Sequence, residues 1–571
     1  MEREQKRNNF VENVCKLRGY NISPMKQDAS TRSYYRIEVN GKTYVLMDEP
    51  SKWNRLYEFA ELSKLLRGID VYAPAVIEKD MEDGFLLLED FGEGTFTKLL
   101  ENGVSEEKLY KMATEVLLKV AGIKKRPSFV KKFEDEHIIK DICYFTDWYY
   151  PTVVGQPLAE DKRNSFIEIV KKLIWLGRKV PDKLVLWDYH VDNLMMVRDT
   201  SDCGVLDFQD AFWGPVTYDI MSLLEDARRA VSPQIQRKMR KYFADNLNGV
   251  AVEDFDTSFL FFSMFRHMRV LGRFSYLMCT RGKDAYLRHV PHLWDMLNET
   301  LKDKRFIEMK KWLDKNLPAE MRGIPKRKPI TKAMILAAGR GTRMKDLVDD
   351  IPKPLIEVNG KAMIDYKFDL LSNMNIKDVV VNVSYQGDKI EKHLEEHSDN
   401  FDITISREAE PLETGGGVKK ALSVLGDEPF FTLNSDEMWN DTSYKPVMWQ
   451  MMDKWDDKKY DIILLINPMA STHEKGRNYG DYRINKKDRL ERNVERKPGG
   501  GYDYFYTGIT LVNPEMFKLK DVPKEEKFSM VKMFDLAEKR GRLGYVIIKD
   551  EIFHVGTPED KAMAEKKFKA A

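Results

Sequence analysis

Three oxygen-bearing side chains in the first half of the sequence have the spacing that phosphoryl transfer requires. Asp188 and Asn193 lie five residues apart in the segment LVLWDYHVDNLMMV, and Asp207 follows in the segment GVLDFQDA. In phosphoryl transfer one carboxylate accepts the proton of the attacking hydroxyl, while a carboxylate and an amide oxygen hold Mg²⁺ against the nucleotide phosphates. A turn aspartate and a capping asparagine are the plain alternative for Asp188 and Asn193. The addition of Asp207 favours phosphoryl transfer.

A glycine-rich turn in the second half of the sequence could bind a triphosphate. The segment MILAAGRGTRMKDLVDDIPKPL joins an apolar run directly to Gly339 and Gly341. Glycines let the backbone approach a phosphate closely, and successive N–H groups form a concavity for an anion. Arg343 and Lys353 add positive charge beside it. A generic β-turn is the plain alternative for the glycines alone, whereas the complete string predicts a nucleotide site.

Longer strings around the first group of residues resemble a known kinase family. These strings are DASTRSYYR, LWDYHVDNLMM, GVLDFQDAFWGPVTYDIMSLLEDAR, FRHMRVLGRFSYL and RGKDAYLRHVP. They are similar to the aminoglycoside-phosphotransferase-like kinases, and within them to the anomeric kinases that phosphorylate the 1-hydroxyl of N-acetylmuramate and N-acetylglucosamine. The resemblance extends from the N-terminus to about residue 315.

The kinase resemblance implies roles for individual residues. Asp188 is expected to be the catalytic base, and Asn193 and Asp207 are expected to hold Mg²⁺. Asp147, in CYFTDWYYP, takes the position of an acidic residue that contacts the sugar. ATP binding is assigned to three residues, Ser30, Arg32 and Glu89.

Two positions depart from the kinase pattern. Leu186 stands where the family usually has a histidine, two residues before the catalytic aspartate, and that position is mainly architectural. Met47 stands near the place of the phosphate-binding lysine on the third strand, so the sequence does not identify the compensating cation. An ordinary hairpin surface stays the alternative for Ser30 and Arg32.

Strings around the glycine-rich turn and after it resemble the sugar-1-phosphate nucleotidyltransferases, and within them the N-acetylmuramate-1-phosphate uridylyltransferases. They include ETGGGV, NSD, VERKP, YTGI and FHVGTPED. The resemblance implies that Asp436 binds Mg²⁺, although a helix-capping role after a strand is the alternative. It assigns nucleotide binding to the turn and to ETGGGV, at Ala337, Ala338, Gly339, Gly341, Thr342, Thr414, Gly415 and Gly416.

The same resemblance implies how the second reaction would proceed. Arg343 would stabilise the leaving pyrophosphate, and Lys353 would stabilise the α-phosphate or the sugar phosphate. Glu495 and Gly508 are assigned to sugar binding. Both reactants are anions, so the site must neutralise and align them rather than supply a covalent nucleophile.

His554 is the clearest departure from the nucleotidyltransferase pattern. It stands where the family usually has a second metal-binding aspartate, just before V-G-T-P. An imidazole can bind a metal ion but prefers softer ions than Mg²⁺. If His554 is a metal ligand, Mg²⁺ is held by fewer carboxylates, or Glu551 or a phosphate oxygen compensates. The alternative is that His554 only packs beside the sheet edge.

The elements expected to position these residues differ between the two halves. Before the segment LPAEMRGIPKRKPITK, β-rich runs flank Asn40 and Gly41, and helical periodicity prevails from Glu106 onward. After that segment, apolar runs alternate with helical stretches, which predicts a mostly parallel sheet covered on both faces. The predicted fold class is therefore α/β and α+β. It has an N-terminal protein-kinase-like bilobal domain, a linker and a C-terminal Rossmann-like nucleotidyltransferase α/β domain, at 1–317, 318–332 and 333–571.

Composition excludes several classes of protein. Hydrophobic residues make up 43% of the 571 residues, enough to bury several cores, so a disordered or fibrous chain is not expected. The formal net charge of +1 argues against a nucleic-acid binder. No apolar run is long enough for a transmembrane helix, and no signal segment or disulfide spacing is evident. We therefore expect a cytoplasmic protein that acts on small molecules, without a membrane or nucleic-acid partner.

The two halves together predict consecutive reactions. ATP would phosphorylate the anomeric hydroxyl of N-acetylmuramate or N-acetylglucosamine, and UTP would then convert the product to a UDP-sugar, with Mg²⁺ in both steps. A choline kinase joined to a phosphocholine cytidylyltransferase is the alternative enzyme, because the aromatic cluster at 144–150 could hold a quaternary ammonium. A regulatory module that binds nucleotide without turnover is a third hypothesis, motivated by Met47 and Leu186.

Overall fold

Two units, each with its own sheet, make up the chain. The computed structural model describes residues 2–25, 32–49, 53–197, 202–325, 330–344, 351–443, 445–473 and 478–568. The first unit contains Met1–Thr146, Ala159–Arg273 and Tyr286–Ile324. The second contains Asp147–Leu158, Phe274–Ala285 and Pro325–Ala571. The predicted linker includes the boundary at Ile324 and Pro325, but two short segments from earlier in the chain belong to the second unit.

In the first unit, the helix Glu2–Asn9 precedes an antiparallel five-stranded sheet. Its strands, in spatial order, are Asn21–Pro24, Ser33–Val39, Lys42–Asp48, Phe85–Glu89 and Val76–Asp80. The predicted hairpin is confirmed, because Asn40 and Gly41 join the second and third of these strands with φ values of 50° and 73°. Positive φ at both central residues is what a two-residue type I′ turn requires. The helix Trp53–Arg67 follows the hairpin.

Helices form most of the remaining first unit, as the periodicity after Glu106 predicts. They are Phe96–Glu101, Glu106–Ala121, Asp135–Ile142, Glu160–Gly177, Thr217–Leu224, Pro233–Asn246, Val252–Arg281, Val290–Thr300 and Ile307–Asn316, of which Val252–Arg281 continues into the second unit. Two strand pairs interrupt them, Asp182–Val185 with Phe212–Pro215 and Leu194–Met196 with Cys203–Val205. The predicted phosphoryl-transfer residues lie on the loops at the ends of these short strands.

A nine-stranded sheet forms the centre of the second unit. Seven of its strands follow the order Asp402–Arg407, Asp378–Val383, Lys332–Leu336, Phe430–Asn434, Tyr504–Val512, Ile462–Pro468 and Leu543–Ile547, and the short strands Tyr482–Ile484 and Leu490–Arg492 lie off this path. The apolar runs predicted as strands are confirmed. The sheet is mixed, however, because Tyr504–Val512 runs antiparallel to both neighbours. A buried strand has the same apolar run in either direction, so the pattern could not assign this direction.

Helices and a small second sheet complete the second unit. The helices include Tyr150–Val154, Met363–Asn373, Gly387–Leu394, Glu413–Leu425, Val447–Lys454, Val531–Lys539 and Pro558–Lys567. The small sheet pairs Glu437–Met438, Ile552–His554 and Thr472–His473. Across the described ranges of the chain, no helix combines the length and apolarity needed to cross a membrane.

Candidate active sites

A buried aspartate holds the loop that carries Asp188. The strand Asp182–Val185 ends just before this loop, and Trp187 within it has a φ of 76°, which is unusual for a residue with a side chain. Asp219 accepts hydrogen bonds from the backbone N–H groups of Leu186 and Trp187, at 2.6 and 3.0 Å. Burial raises the pKa of Asp219 to about 7. Asp219 therefore fixes the loop geometry. The sequence pattern did not predict this role, although Asp219 lies in the string G-P-V-T-Y-D.

Hydrogen bonds bring the three predicted phosphoryl-transfer residues into one loop cluster. The Asn193 side-chain amide donates to the backbone carbonyl of Asp188 at 2.9 Å, and the Leu206 N–H donates to the Asn193 carbonyl at 2.9 Å. Asp207 follows with a φ of 55°. Partial removal from water and the negative charge of Asp188 raise the pKa of the Asp207 carboxyl. A carboxylate in this setting gains from a bound cation, so Asn193 and Asp207 fit Mg²⁺.

Arg32 is a buried cation beside this cluster. Its side chain is 3% exposed, donates to Glu49 at 3.2 Å and lies 3.6 Å from the Asp207 carboxylate. Met47, at the expected lysine position, is buried in the strand Lys42–Asp48. The structure thus places a positive charge near Asp207 from the residue just before the strand Ser33–Val39, and not from the third strand, which the family pattern uses.

Of the other two residues predicted to bind ATP, the structure describes only Glu89. Ser30 lies outside the described residues. Glu89 ends the strand Phe85–Glu89, where its carboxylate accepts hydrogen bonds from Arg67 and from the Ala75 N–H at 2.8 and 3.2 Å. Its predicted contact with ATP stays a prediction.

A cavity of about 350 Å³ borders the loop of Asp188. Trp187 forms part of its wall, and the Arg269 guanidinium lies 4.2 Å above the Trp187 ring and donates to Asp141 at 2.9 Å. Tyr144 and Arg273 also line it. The cavity thus combines aromatic faces with both signs of charge, a lining suited to a polar ligand.

Asp147, predicted to contact the sugar, is buried and is not among the residues that line this cavity. It belongs to the short segment Asp147–Leu158 of the second unit. Asp141 is the acidic residue from the same part of the sequence that does line the cavity. The predicted sugar contact of Asp147 therefore stays a prediction.

In the second unit, a buried asparagine anchors the glycine-rich turn. The Asn382 side chain accepts a hydrogen bond from the Ala337 N–H at 2.8 Å and donates to Glu408 at 2.7 Å. At Gly341, with a φ of 61°, an added Cβ would lie 2.9 Å from the Cβ of Lys353. The turn is therefore held from two sides. Asn382 and Glu408 were missed, and their signal is one polar residue inside the valine-rich run DVVVNVS and one directly after ITISR.

A cavity of about 320 Å³ opens beside this turn. Several of the residues assigned to the second reaction line it together: Ala338, Gly339, Gly341, Arg343, Lys353, Thr414 and Asp436. Ala337 is buried at the start of the turn, and the backbone of Thr342 lies in a short 3₁₀ helix, Thr342–Met344. Cationic side chains and turn backbone thus surround a space large enough for part of a nucleotide.

The ETGGGV segment forms a helix start rather than an open loop. The N–H groups of Gly415 and Gly416 both donate to the Phe528 carbonyl, at 2.9 and 3.0 Å. An added Cβ at Gly416 would lie 2.1 Å from the Glu526 carbonyl oxygen. These glycines allow close packing of the helix Glu413–Leu425, and neither lines the cavity. Their contact with nucleotide stays a prediction.

An acidic group with one histidine lies at the inner end of the second site. Asp436, Glu437 and His554 have ligand atoms within 4.8 Å of one another, and Lys353 forms a 2.5 Å ion pair with Asp436. Burial alone would raise the pKa of Asp436, but the positive charges of Lys353 and His554 hold that pKa well below its usual range. Burial also disfavours the charged imidazole, yet the two carboxylates raise the pKa of His554 to about 9. Glu551 instead pairs with His473 at 3.2 Å.

The donor atoms of this group differ in how well they suit Mg²⁺. The Glu437 Oε2 atom is buried without a hydrogen-bond partner, and carboxylate oxygens are the ligands that Mg²⁺ prefers. Asp436 and Glu437 therefore fit the ion, whereas the His554 imidazole is a less suitable ligand. Glu437 was not singled out in the sequence.

The two residues predicted to bind sugar differ in their surroundings. Gly508 has a φ of 76°, and an added Cβ would lie 2.5 Å from the Glu437 carboxylate, so only glycine fits there. Glu495 is highly exposed, pairs with Lys497 at 3.0 Å and does not line the cavity. Sugar contact stays a prediction for both.

Comparisons with known proteins match a different family to each half of the chain. The Phosphotransferase enzyme family model matches residues 21–251, and the Nucleotidyl transferase model matches residues 332–569. An N-acetylmuramate/N-acetylglucosamine kinase from Pseudomonas putida is 30% identical over 286 residues, covering 49% of this chain and 83% of the relative. Another from Neisseria meningitidis is 29% identical over 320 residues, covering 54% and 93%.

A relative of the second half is an N-acetylmuramate alpha-1-phosphate uridylyltransferase from Caulobacter vibrioides. It is 36% identical over 245 residues, covering 42% of this chain and 97% of the relative. Both resemblances stated from the sequence are thereby confirmed. The chain belongs to the phosphotransferase enzyme family in its N-terminal part and to the nucleotidyl transferase family in its C-terminal part, and it is an enzyme with both kinds of activity.

Proposed function

We propose that the chain makes a sugar 1-phosphate at its first site and consumes it at its second. N-acetylmuramate, or N-acetylglucosamine, would react with ATP, and the product would react with UTP to give the UDP-sugar and pyrophosphate. The observation that carries this proposal is that one chain holds two groups of side chains suited to phosphate chemistry. The first is the loop cluster of Asp188, Asn193 and Asp207, and the second lines the cavity beside Arg343, Lys353 and Asp436. Relatives named for these two consecutive reactions match the respective halves and support it.

In the first reaction, Asp188 would accept the proton of the anomeric hydroxyl. The hydroxyl oxygen attacks the γ-phosphorus of ATP, the bond from that phosphorus to the bridging oxygen breaks, and ADP leaves. Arg32 is the buried cation available to offset phosphate charge near Asp207. Asn193 and Asp207 would hold Mg²⁺, which when bound neutralises charge on the nucleotide phosphates.

In the second reaction, an oxygen of the sugar phosphate would attack the α-phosphorus of UTP. The bond between that phosphorus and the next bridging oxygen breaks, and pyrophosphate leaves. Arg343 and Lys353 line the cavity and supply positive charge for the two anionic reactants. Asp436 and Glu437 would hold Mg²⁺ at this site. Because both reactions consume nucleoside triphosphates, we place the enzyme in the cytoplasm.

Product analysis tests this proposal. Full-length enzyme with N-acetylmuramate, ATP, UTP and Mg²⁺ should yield UDP-N-acetylmuramate by mass spectrometry, and Asp436→Ala should accumulate the sugar 1-phosphate instead. Asp427→Ala is the matched control, because Asp427 is 85% exposed on the same unit. Absence of ADP formation with either amino sugar would contradict the proposal.

The other two hypotheses have less support. The relatives do not favour choline kinase with a cytidylyltransferase, and formation of CDP-choline from choline, ATP and CTP would reverse that judgement. The non-catalytic hypothesis disagrees with membership in two enzyme families.

A further inference from the structure

Two groups of metal-ligating side chains occur among the described residues, and one lies outside both sites. The group at the second site is Asp436, Glu437 and His554, and the other is Asp365, His393 and His397. None of this latter trio lines the 320 Å³ cavity. Neither the proposed reactions nor the family motifs account for it.

The trio joins two helices that are separated in sequence by the strand Asp378–Val383. Asp365 lies in the first turn of the helix Met363–Asn373. His393 lies near the end of the helix Gly387–Leu394, and His397 ends the following 3₁₀ turn. The two histidines lie on either side of the junction between the helix and the turn, and both imidazoles face Asp365.

Two of the three distances between ligand atoms are close to those that a zinc ion would impose, and all three atoms lie within 4.8 Å of one another. The Nε2 atoms of His393 and His397 lie 2.8 and 2.9 Å from the same oxygen of Asp365. Zinc–ligand bonds of about 2.0–2.1 Å in a tetrahedral site place neighbouring ligand atoms about 3.3 Å apart. The ion would therefore fit if the distances between Asp365 and the two imidazoles increased by a few tenths of an ångström.

The surroundings hold one ring in place and leave room for solvent. The Phe368 ring stacks on His397 with centroids 4.2 Å apart and planes 13° apart, and Phe401 contacts the same imidazole. The three side chains are 17–23% exposed. Water could thus complete a fourth coordination position, as in open zinc sites with three protein ligands.

We propose that Asp365, His393 and His397 bind one Zn²⁺ ion that links the helix Met363–Asn373 to the helix Gly387–Leu394. Two imidazoles and one carboxylate suit a borderline divalent ion such as zinc, whereas Mg²⁺ prefers oxygen ligands only. The site is therefore selective against the Mg²⁺ used for phosphate chemistry. Because the ion binds the folded chain, it stabilises the second unit.

Metal titration of the metal-stripped full-length protein tests this proposal, with excess Mg²⁺ present to occupy the phosphate-chemistry sites. Bound Co²⁺ should show the visible absorption of a low-coordinate ion. Zn²⁺ should displace one equivalent of Co²⁺ and raise the Tm of the second unit. Loss of a residue that only supports a metal ligand typically weakens metal binding about 10–100-fold. His393→Ala and His397→Ala each remove a ligand itself, so each should weaken binding by at least about 100-fold. Asp365→Asn keeps an oxygen acceptor for the imidazoles but removes the charge, and it should also weaken binding.

Two control variants separate this site from other histidines. His292→Ala and His554→Ala should each still bind one equivalent of Co²⁺ as tightly as wild type does. Equal Co²⁺ binding by wild type, His397→Ala and Asp365→Asn would overturn the proposal, as would wild type that binds no Co²⁺ or Zn²⁺ tightly. In that case the trio is only a hydrogen-bonded contact between two helices.

Discussion

The indole rings of Trp148 and Trp449 meet edge to face within the second unit, with centroids 5.4 Å apart. The Lys445 ammonium lies 4.3 Å from the centre of the Trp148 ring and forms a buried ion pair with Asp453. Trp148 comes from Asp147–Leu158, one of the two early segments that belong to this unit. The core of the second unit therefore includes a residue from the N-terminal half of the sequence.

Trp148→Ala should destabilise the second unit. Trp148 is only 6% exposed, and truncation of a buried tryptophan typically costs about 3–5 kcal/mol of unfolding free energy. Urea unfolding of the full-length protein measures the change. UTP should shift the unfolding transition of the second unit to higher urea concentration, which identifies the transition to follow. Trp175→Ala is the control, since Trp175 is 59% exposed, and an equally small effect of both variants would contradict the prediction.

Asp188→Asn should abolish sugar phosphorylation and leave uridylyl transfer intact when sugar 1-phosphate is supplied. Loss of a general base typically lowers the rate about 10²–10⁴-fold, and Asp188 belongs to the first unit only. Separate assays of ADP and pyrophosphate formation measure the two reactions in one preparation, so the second activity controls for folding. Near-normal ADP formation would refute the role of Asp188.

Arg32→Ala should lower kcat/KM for ATP in the kinase reaction. A hydrogen bond or ion pair to a charged group contributes about 1.5–3 kcal/mol, which corresponds to about 10–150-fold. Arg32→Lys keeps the charge but not the planar geometry that reaches both Glu49 and Asp207, so it should recover only part of the loss. If Arg32→Ala keeps wild-type kinetics with ATP, another cation offsets the phosphate charge.

The sequence was informative where chemistry or periodicity is local. Apolar runs predicted seven strands of the nine-stranded sheet in the second unit, and Asn40-Gly41 predicted the hairpin in the sheet of the first unit. The spacing of Asp188 and Asn193 predicted residues that the fold does hold in one loop cluster. Each of these features depends on a short segment, so it can be identified without knowledge of the rest of the chain.

Features that depend on contacts between distant segments were not predictable. Asp219 holds the loop of Asp188 from the helix Thr217–Leu224, and Asn382 pairs with Glu408 across two strands. The direction of Tyr504–Val512 and the packing of Trp148 in the second unit are likewise tertiary. Asp219 looks like an ordinary surface residue until its partners are known, and the only signal of Asn382 and Glu408 is a polar residue inside or directly after an apolar run.

Asp219→Asn should change how stability depends on pH. The pKa of Asp219 is raised from 3.8 to about 7 in the folded chain, so the folded state binds more protons than the unfolded state between these values. The contribution of Asp219 to stability should therefore fall as pH rises from about 4 to about 7 in wild type. Asparagine does not titrate, so the variant should lack this part of the slope. Urea unfolding at several pH values measures it, and parallel curves for the two proteins would contradict the assignment.

His554→Asp should preserve uridylyl transfer and lower the Mg²⁺ concentration that it requires. His554 lies 3.5 Å from Glu437, and its raised pKa makes it a cation between two carboxylates at neutral pH. An aspartate would remove that positive charge and add a hard ligand, so apparent Mg²⁺ affinity should rise. The opposing effect is repulsion among three carboxylates, which should destabilise the metal-free protein. The change in Mg²⁺ affinity is measured by a Mg²⁺ titration of pyrophosphate formation at saturating UTP and sugar 1-phosphate.

His554→Asn is the matched control for this titration, because asparagine has the size of aspartate without its charge. It should remove the imidazolium without the gain in Mg²⁺ affinity, so the difference between the two variants isolates the added carboxylate. A Tm measured without metal should be lower for the aspartate variant than for the asparagine variant, and added Mg²⁺ should narrow that gap. If both variants lose activity at every Mg²⁺ concentration, the imidazole itself is required, and its position is not that of a replaceable metal ligand.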